Sequence, residues 1–268
     1  MGQPFRMLVN GTYINVQVDG SEGAPWMVFS NSLTSSIAAW DELVSFFSPH
    51  FKILRYDQRG HGGSDAPVAP FSMDMLADDL LGVLSSFDIW NAFFVGVSMG
   101  ATTVLRCAAK DPFRCRGVVA CDGTWCSAPG AAAIWEDRFA VARVQGMAGL
   151  VESTVARWFQ PDFFSRKPEV VEKIKGIIAG TSVEGYFECA NALQQYDFRA
   201  DYPALSVPVL YVVGAQDGDV PSVMRAMHMA TPGSYYSEID HCGHLPNIEQ
   251  PEILHQVMDN FIRQVGSI

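Results

Sequence analysis

The chain has 268 residues, 49% of them hydrophobic, and a formal net charge of −11. It is long enough to bury a large core, and one α/β domain of this size is common. Phosphate backbones and anionic bilayers repel so acidic a chain, which argues against a nucleic-acid or membrane partner and leaves room for a local basic pocket. The six cysteines form neither a CxxC pair nor a zinc-type spacing, so free thiols in a reducing, cytoplasmic setting are expected, with no metal. The N-terminal MGQPFRMLVNGTYINV lacks a basic region followed by an apolar run, which argues against a secretory signal. No apolar run is long enough to span a bilayer.

In chain order, TYINVQV (12–18) alternates and predicts an edge strand of an antiparallel start. WMVFS (26–30), KILRY (52–56), AFFVGV (92–97), GVVAC (117–121), PVLYVVG (208–214) and YYSEI (235–239) predict further strands. Most are continuous and β-branched or aromatic, as parallel strands covered on both faces should be. Helical patterns occupy 38–47, 73–87, 99–110, 222–230 and 251–265. This alternation predicts an α/β fold, with a mostly parallel central sheet and helices on both faces. From about Gly123 to Tyr202 helical periodicity continues without a convincing strand. The expected organisation is a core of 1–122 and 206–268, with a helical cap inserted at 123–205.

The stretch FFVGVSMGAT (93–102) places Ser98 between Gly96 and Gly100. GxSxG arises by chance in about one chain in ten of this length at average Gly and Ser usage, so its context decides. Here it follows a predicted strand and opens a predicted helix, as a nucleophile elbow requires. A serine hydroxyl needs a base, and the base needs an orienting acid. Asp217 follows the strand PVLYVVG, and His244 follows YYSEI. Loops at strand carboxyl ends are where open α/β sheets build their sites. Asp219 and Asp122 compete for the acid, and His241 for the base. Asp219 sits beside Pro221 at a helix start, and Asp122 directly follows the strand GVVAC. Oxyanion donors are expected from the backbone N–H of Met99 and, in the loop SNSLTSS, of Leu33. No cofactor is required.

FSNSLTSSIAAW, LRYDQRGHGGSDAP, GVSMG, ARWF and GHLPNIEQP together resemble the 3-oxoadipate enol-lactonases of the α/β-hydrolase superfamily. The resemblance implies a cofactor-free lactone hydrolase of aromatic catabolism in the β-ketoadipate pathway. Ser98, Asp217 and His244 would be its catalytic triad, and Leu33 and Met99 its oxyanion donors. Asp57, Arg59, Gly60 and His61 would shape a loop under the site. Thr34 stands where that family usually has Gly, and Ala101 where a second Gly would follow Gly100. WCSAPG (125–130) is also atypical. These departures touch the pocket and leave open a small-molecule ester, a C–C substrate, a lyase reaction, or a ligand receptor with a residual hydrolase site. Specificity is expected from Trp135, Arg138, Arg157, Trp158 and Tyr186 in the cap. An anionic lactone would want one of the arginines facing it. Homo-oligomerisation is left open by the sequence.

Overall fold

The computed structural model describes residues 2–266 except 68, 129 and 131. The described residues form one eight-stranded sheet from β1 (Phe5–Val9), β2 (Thr12–Gly20), β3 (Trp26–Ser30), β4 (Lys52–Tyr56), β5 (Ala92–Val97), β6 (Cys115–Cys121), β7 (Val209–Gly214) and β8 (Tyr235–Ile239). Their order is β1-β2-β4-β3-β5-β6-β7-β8. β1, β2 and β4 pair antiparallel, and every other pairing is parallel. Each of β5 and β7 is buried along its whole length, which explains their unbroken apolar sequence.

One expectation is corrected. The segment 12–18 lies in β2, which is not at the edge, because β1 pairs outside it in register from Phe5↔Val16 to Val9↔Thr12. The turn between them is Asn10-Gly11, with φ of 47° and 75°. Positive φ at both positions suits the right-handed twist of a two-residue hairpin. FRMLV hides this strand in sequence: it is short, and four of its five residues are not buried, as a solvent-facing edge allows.

Helices cover both faces. On one side α2 (Met73–Ser86), α3 (Met99–Lys110) and α9 (Val220–Ala230) bury Leu76, Leu80, Val104, Leu105 and Met224. On the other, α1 (Asp41–Phe47) and α11 (Pro251–Gly266) bury Leu43, Phe47, Leu254, Met258 and Phe261. A short 3₁₀ turn, Ile37–Trp40, precedes α1, so the helical pattern of 38–47 is two pieces. Trp40 stacks on Phe29 with ring centroids 4.6 Å apart.

Between β6 and β7 run α4 (Ala132–Gln145), α5 (Val151–Trp158), α6 (Phe163–Arg166), α7 (Pro168–Ala179) and α8 (Val183–Leu193). The first long amphipathic pattern is broken at Gly146, which takes φ 66°. The second is broken by Gly180 and by Ser182, whose side chain accepts the Gly185 N–H and caps α8. Phe139 of α4 and Tyr186 of α8 join the first core cluster, and Val155 of α5 and Ile174 of α7 join the second. A short α10 (Pro246–Glu249) precedes α11.

Two buried polar features stand out, the first of which braces the sheet. Arg55 on β4 donates to Asp19 through Nε and Nη2, at 3.0 and 2.7 Å, and to Asp41 through Nη1 at 2.6 Å. The Arg55 and Asp19 side chains are each 1% exposed. The second is His61, in the loop after β4, whose Nε2 has no hydrogen-bond partner. Burial pushes its imidazole down to about 4, and the hydrogen bond with the Arg59 carbonyl works the other way without reversing it.

Arg55→Met strands the Asp19 carboxylate in the interior. It should lower unfolding stability by about 3–5 kcal/mol, read as a lower urea midpoint at pH 7. His61 predicts a pH dependence of stability. The unfolded chain protonates this side chain near pH 6.5, and the folded chain only near 4. Unfolding therefore takes up a proton in that window, and stability falls as pH drops through it, by about 3 kcal/mol in full. In urea titrations at pH 7 and pH 4, His61→Gln should lose correspondingly less stability than wild type.

Candidate active site

Ser98 occupies the step from β5 into α3, where a residue bearing a Cβ is forced to φ 57°, ψ −119°. Its own N–H donates to Cys121 O at 2.8 Å, fixing it against β6. The flanking glycines are required by close backbone approach. A Cβ on Gly96 would lie 2.2 Å from Gly100 O, and one on Gly100 would lie 2.0 Å from Ser30 O. A larger residue at Gly96 would push the start of α3 off β5, and one at Gly100 would push the elbow away from β3. The turn thus holds Ser98 Oγ above the carboxyl edge of the sheet at the N-terminus of α3. Met99, the first residue of that helix, has no intrahelical acceptor for its N–H.

The three residues predicted to act together are brought together. Ser98 Oγ lies 2.9 Å from His244 Nε2, and His244 Nδ1 donates to Asp217 Oδ2 at 2.6 Å. His244 is 4% and Asp217 6% exposed. Burial works against the Asp217 charge, but His244 and the Arg157 guanidinium outweigh it and hold the carboxyl below its usual range. Of the competitors, Asp219 is exposed at the start of α9 and makes no side-chain cap bond, and His241 is exposed. Asp122 is different. It is buried directly beside Asp217 and His244, without bonding the imidazole.

Ser98 and His244 open into a cavity of about 350 Å³, whose wall includes Leu33, Met99, Trp135, Arg138, Arg157 and Trp158. Thr34, beside Leu33, takes φ 59° and bonds its own hydroxyl to Leu33 O at 2.7 Å. The left-handed backbone at this position is what a Gly would adopt without strain. Arg138 donates to Tyr186 Oη at 3.1 Å and Thr154 Oγ1 at 2.7 Å. Arg157 has no hydrogen-bond or ion-pair partner among the described residues. The side chain is exposed towards the cavity; partial desolvation of its guanidinium and the neighbouring Arg138 work against its charge, and the Asp217 carboxylate supports it. Tyr186 corrects an expectation: it is fully buried behind the wall, and its hydroxyl serves Arg138 rather than the cavity. A wider depression of about 750 Å³ beside α2 contains Arg59 and Arg114, but each is already paired, with Asp79 and Asp111.

Several supporting groups went unassigned in the sequence. His244 N–H donates to Trp158 O at 2.8 Å, so the end of α5 holds the imidazole-bearing loop. Glu249 accepts the N–H of Gly243 at 2.6 Å and of Gln160 at 2.7 Å, joining that loop to the segment after α5. Asn31 accepts Trp40 Nε1–H at 2.8 Å and donates to Tyr56 O at 3.1 Å, and Gln58 donates to Asn31 O at 2.8 Å. These bonds stiffen the loop that carries Leu33. The only available signal for Glu249 was its place in GHLPNIEQP, where nothing local indicates which backbone it will meet. Asp57, which the resemblance assigns to the loop beneath the site, accepts from Ile37 N, Gly63 N and Asn15 Nδ2 at 2.7–2.9 Å.

Comparison with known proteins agrees with this architecture. Residues 25–251 match the family described as alpha/beta hydrolase fold. The chain is 31% identical over 252 residues to 3-oxoadipate enol-lactonase 2 of Acinetobacter baylyi, covering 94% of this chain and 93% of that one. It is 30% identical over 262 residues to 3-oxoadipate enol-lactonase 1 of the same organism, covering 95% of each. The crystal structure of the enol-lactonase from Burkholderia xenovorans LB400 superposes with a TM-score of 0.92 at 33% identity, covering 97% of this chain and all of the other. With this sheet order, elbow and degree of similarity, the chain belongs to the alpha/beta hydrolase family, as an ester-hydrolysing enzyme resembling the 3-oxoadipate enol-lactonases.

Proposed function

We propose that this enzyme opens a small, carboxylate-bearing lactone, in the manner of a 3-oxoadipate enol-lactonase, with Ser98, His244 and Asp217 as its triad. The observation that carries the reading is a Ser–His–Asp hydrogen-bond chain at the floor of a cavity whose wall holds two arginines that form no ion pair among the described residues. Arg157 is exposed and Arg138 half-buried, so both guanidinium groups face the cavity where an anion can meet them, in a protein whose net charge is −11. Lactonising one carboxyl of 3-oxoadipate leaves its other carboxylate free to do so.

In this mechanism His244 takes the Ser98 proton as Oγ attacks the lactone carbonyl. Asp217 fixes the tautomer and balances the imidazolium. The backbone N–H groups of Leu33 and Met99 receive the oxyanion. Ring opening leaves an acyl-enzyme, with the leaving enolate oxygen protonated from His244. A water activated by His244 then releases the acid. Residues 123–205 act as a cap: Trp135, Arg138, Arg157 and Trp158 form the specificity wall, and Tyr186 holds Arg138 in place. The relatives' names support a role in aromatic-compound catabolism through the β-ketoadipate pathway, and the free buried thiols suit the cytoplasm.

The test is hydrolysis of enzymatically generated 3-oxoadipate enol-lactone beside neutral lactones and short p-nitrophenyl esters. Ser98→Ala should lower kcat by at least about 10³-fold on every substrate turned over. Retention of activity in that variant would sink the mechanism. Arg157→Gln should lower kcat/KM for the anionic lactone by about 10–100-fold, well beyond the smaller loss on neutral esters that follows from removing its field at Asp217. Equal losses on both substrates would show that Arg157 does not read the carboxylate.

A further inference from the structure

Asp122 directly follows β6 in a conformation that a residue with a side chain rarely adopts, φ 48°, and it is 2% exposed. Its N–H donates to Val212 O at 3.0 Å, and its Oδ1 accepts the N–H of Gly214 at 2.9 Å. The residue is therefore pinned to β7 at two points, through its backbone and its side chain. The same strand end delivers Asp217, whose N–H donates to Gly214 O at 3.1 Å. Gly214 also meets the His244 loop, since a Cβ there would lie 1.9 Å from Gly243 O. One oxygen of Asp122, one of Asp217 and a ring nitrogen of His244 consequently all lie within 4.8 Å of one another. Asp122 Oδ2 is buried and has no donor facing it.

Two buried carboxylates within 4.8 Å of one another disfavour each other's charge, and the one with less compensation is the one that keeps its proton. Asp217 is the one with compensation: the His244 Nδ1–H bond and the field of Arg157. Asp122 has one backbone N–H. The other ionisable groups facing this pair are Glu249, on α10, and the buried thiols of Cys121 and Cys242. None of these offers Asp122 a positive charge.

We infer that Asp122 is a positioning residue for the triad: it is neutral at pH 7, carries its proton on Oδ2, and donates it to the Asp217 carboxylate. A protonated Oδ2 accounts for the oxygen that otherwise lacks a donor. Burial, and then the charge of Asp217, push the Asp122 carboxyl well up, in agreement with this geometry. Asp217 is thereby held from one side by His244 and from the other by Asp122, with a single negative charge shared along the line. The inference rests on the triad reading above, because its kinetic consequence passes through His244.

The test compares Asp122→Asn with Asp122→Leu. An Asn can keep both contacts, with Oδ1 accepting from Gly214 and the amide N–H donating to Asp217. It should leave kcat/KM within about threefold and the acid limb of its pH profile within about 0.3 unit of wild type. Leu keeps the bulk and loses the donor. Asp217 then becomes more basic, so kcat/KM should fall about 10-fold and the acid limb should move to higher pH. If Asp122 were ionised in wild type, Asn would remove a negative charge beside His244 and move the limb to lower pH by about one unit, which would overturn the inference. A Leu variant that is merely less heat-stable, with an unmoved limb, would overturn it as well.

Protonation is read without activity by carbon-13 carboxyl NMR of aspartate-labelled enzyme at pH 7. A protonated signal should be present in wild type and absent in Asp122→Asn. If Asp122→Asn does not fold, Asp217→Asn serves, since relief of repulsion should move the midpoint of that signal downward. Absence of any such signal defeats the inference even if Ser98→Ala is inactive. Its presence with a fully active Ser98→Ala would instead fault the triad reading alone.

Discussion

The site depends on a steric constraint, the contact of backbone against backbone where β5 turns into α3. Gly96 lies against the Gly100 carbonyl, and Gly100 against that of Ser30. With those surfaces touching, the chain has no room to relax, and Ser98 is held at φ 57°. Local strain of this kind persists only when the surroundings over-determine it. Here they do: β3 lies on one side, Cys121 O accepts the Ser98 N–H on the other, and α3 is buried along most of its length. The nucleophile's position follows from the packing of the sheet rather than from contacts of its own side chain.

The same economy operates at the far end of the hydrogen-bond chain. Gly214 and Gly243 touch, and a Cβ on Gly243 would lie 2.4 Å from Trp158 O. The imidazole loop is thus pressed between the end of β7 and the end of α5. Its next backbone N–H, that of His244, satisfies the Trp158 carbonyl. Glu249 ties the neighbouring N–H of Gly243 to Gln160, beyond α5. The helices that wall the cavity and the loop that carries the base are therefore one mechanical unit. A shift of α5 would be felt at His244 and at Arg157 together.

Electrostatics divides the interior into paired and unpaired charge. Arg55 and Arg59 are buried with Asp19 and Asp79 and brace the scaffold. Among the described residues Arg138 is bonded to neutral hydroxyls, and Arg157 lines the cavity within the field of Asp217 but forms no ion pair. The acidic side of the site is arranged oppositely, with Asp122, Asp217 and Glu249 all buried near His244. The cavity thus has a positive wall facing a negative support behind the base, a field suited to an anionic ligand that reacts at its far end.

The sequence by itself determined the parallel sheet, because strands such as AFFVGV and VLYVVG are buried on both faces and must be apolar throughout. It also marked the turn at Ser98, since glycines two residues to either side of a serine, between a strand and a helix, answer a local steric demand. Asp217 and His244 were legible as loop residues at strand ends, though Asp122 met the same description. Tertiary structure alone separated these carboxyls, by laying the His244 ring against Asp217 and leaving Asp122 behind it. The edge strand β1 was obscured because an exposed strand needs no alternation, although its Asn-Gly turn was written in the sequence. Tyr186 reads as a pocket aromatic until the packing of α8 buries it. The tie between Glu249, Gly243 and Gln160 joins positions up to 89 residues apart through backbone N–H groups. Every residue but proline carries that group, so no pattern of side chains could have foretold which two would meet the carboxylate.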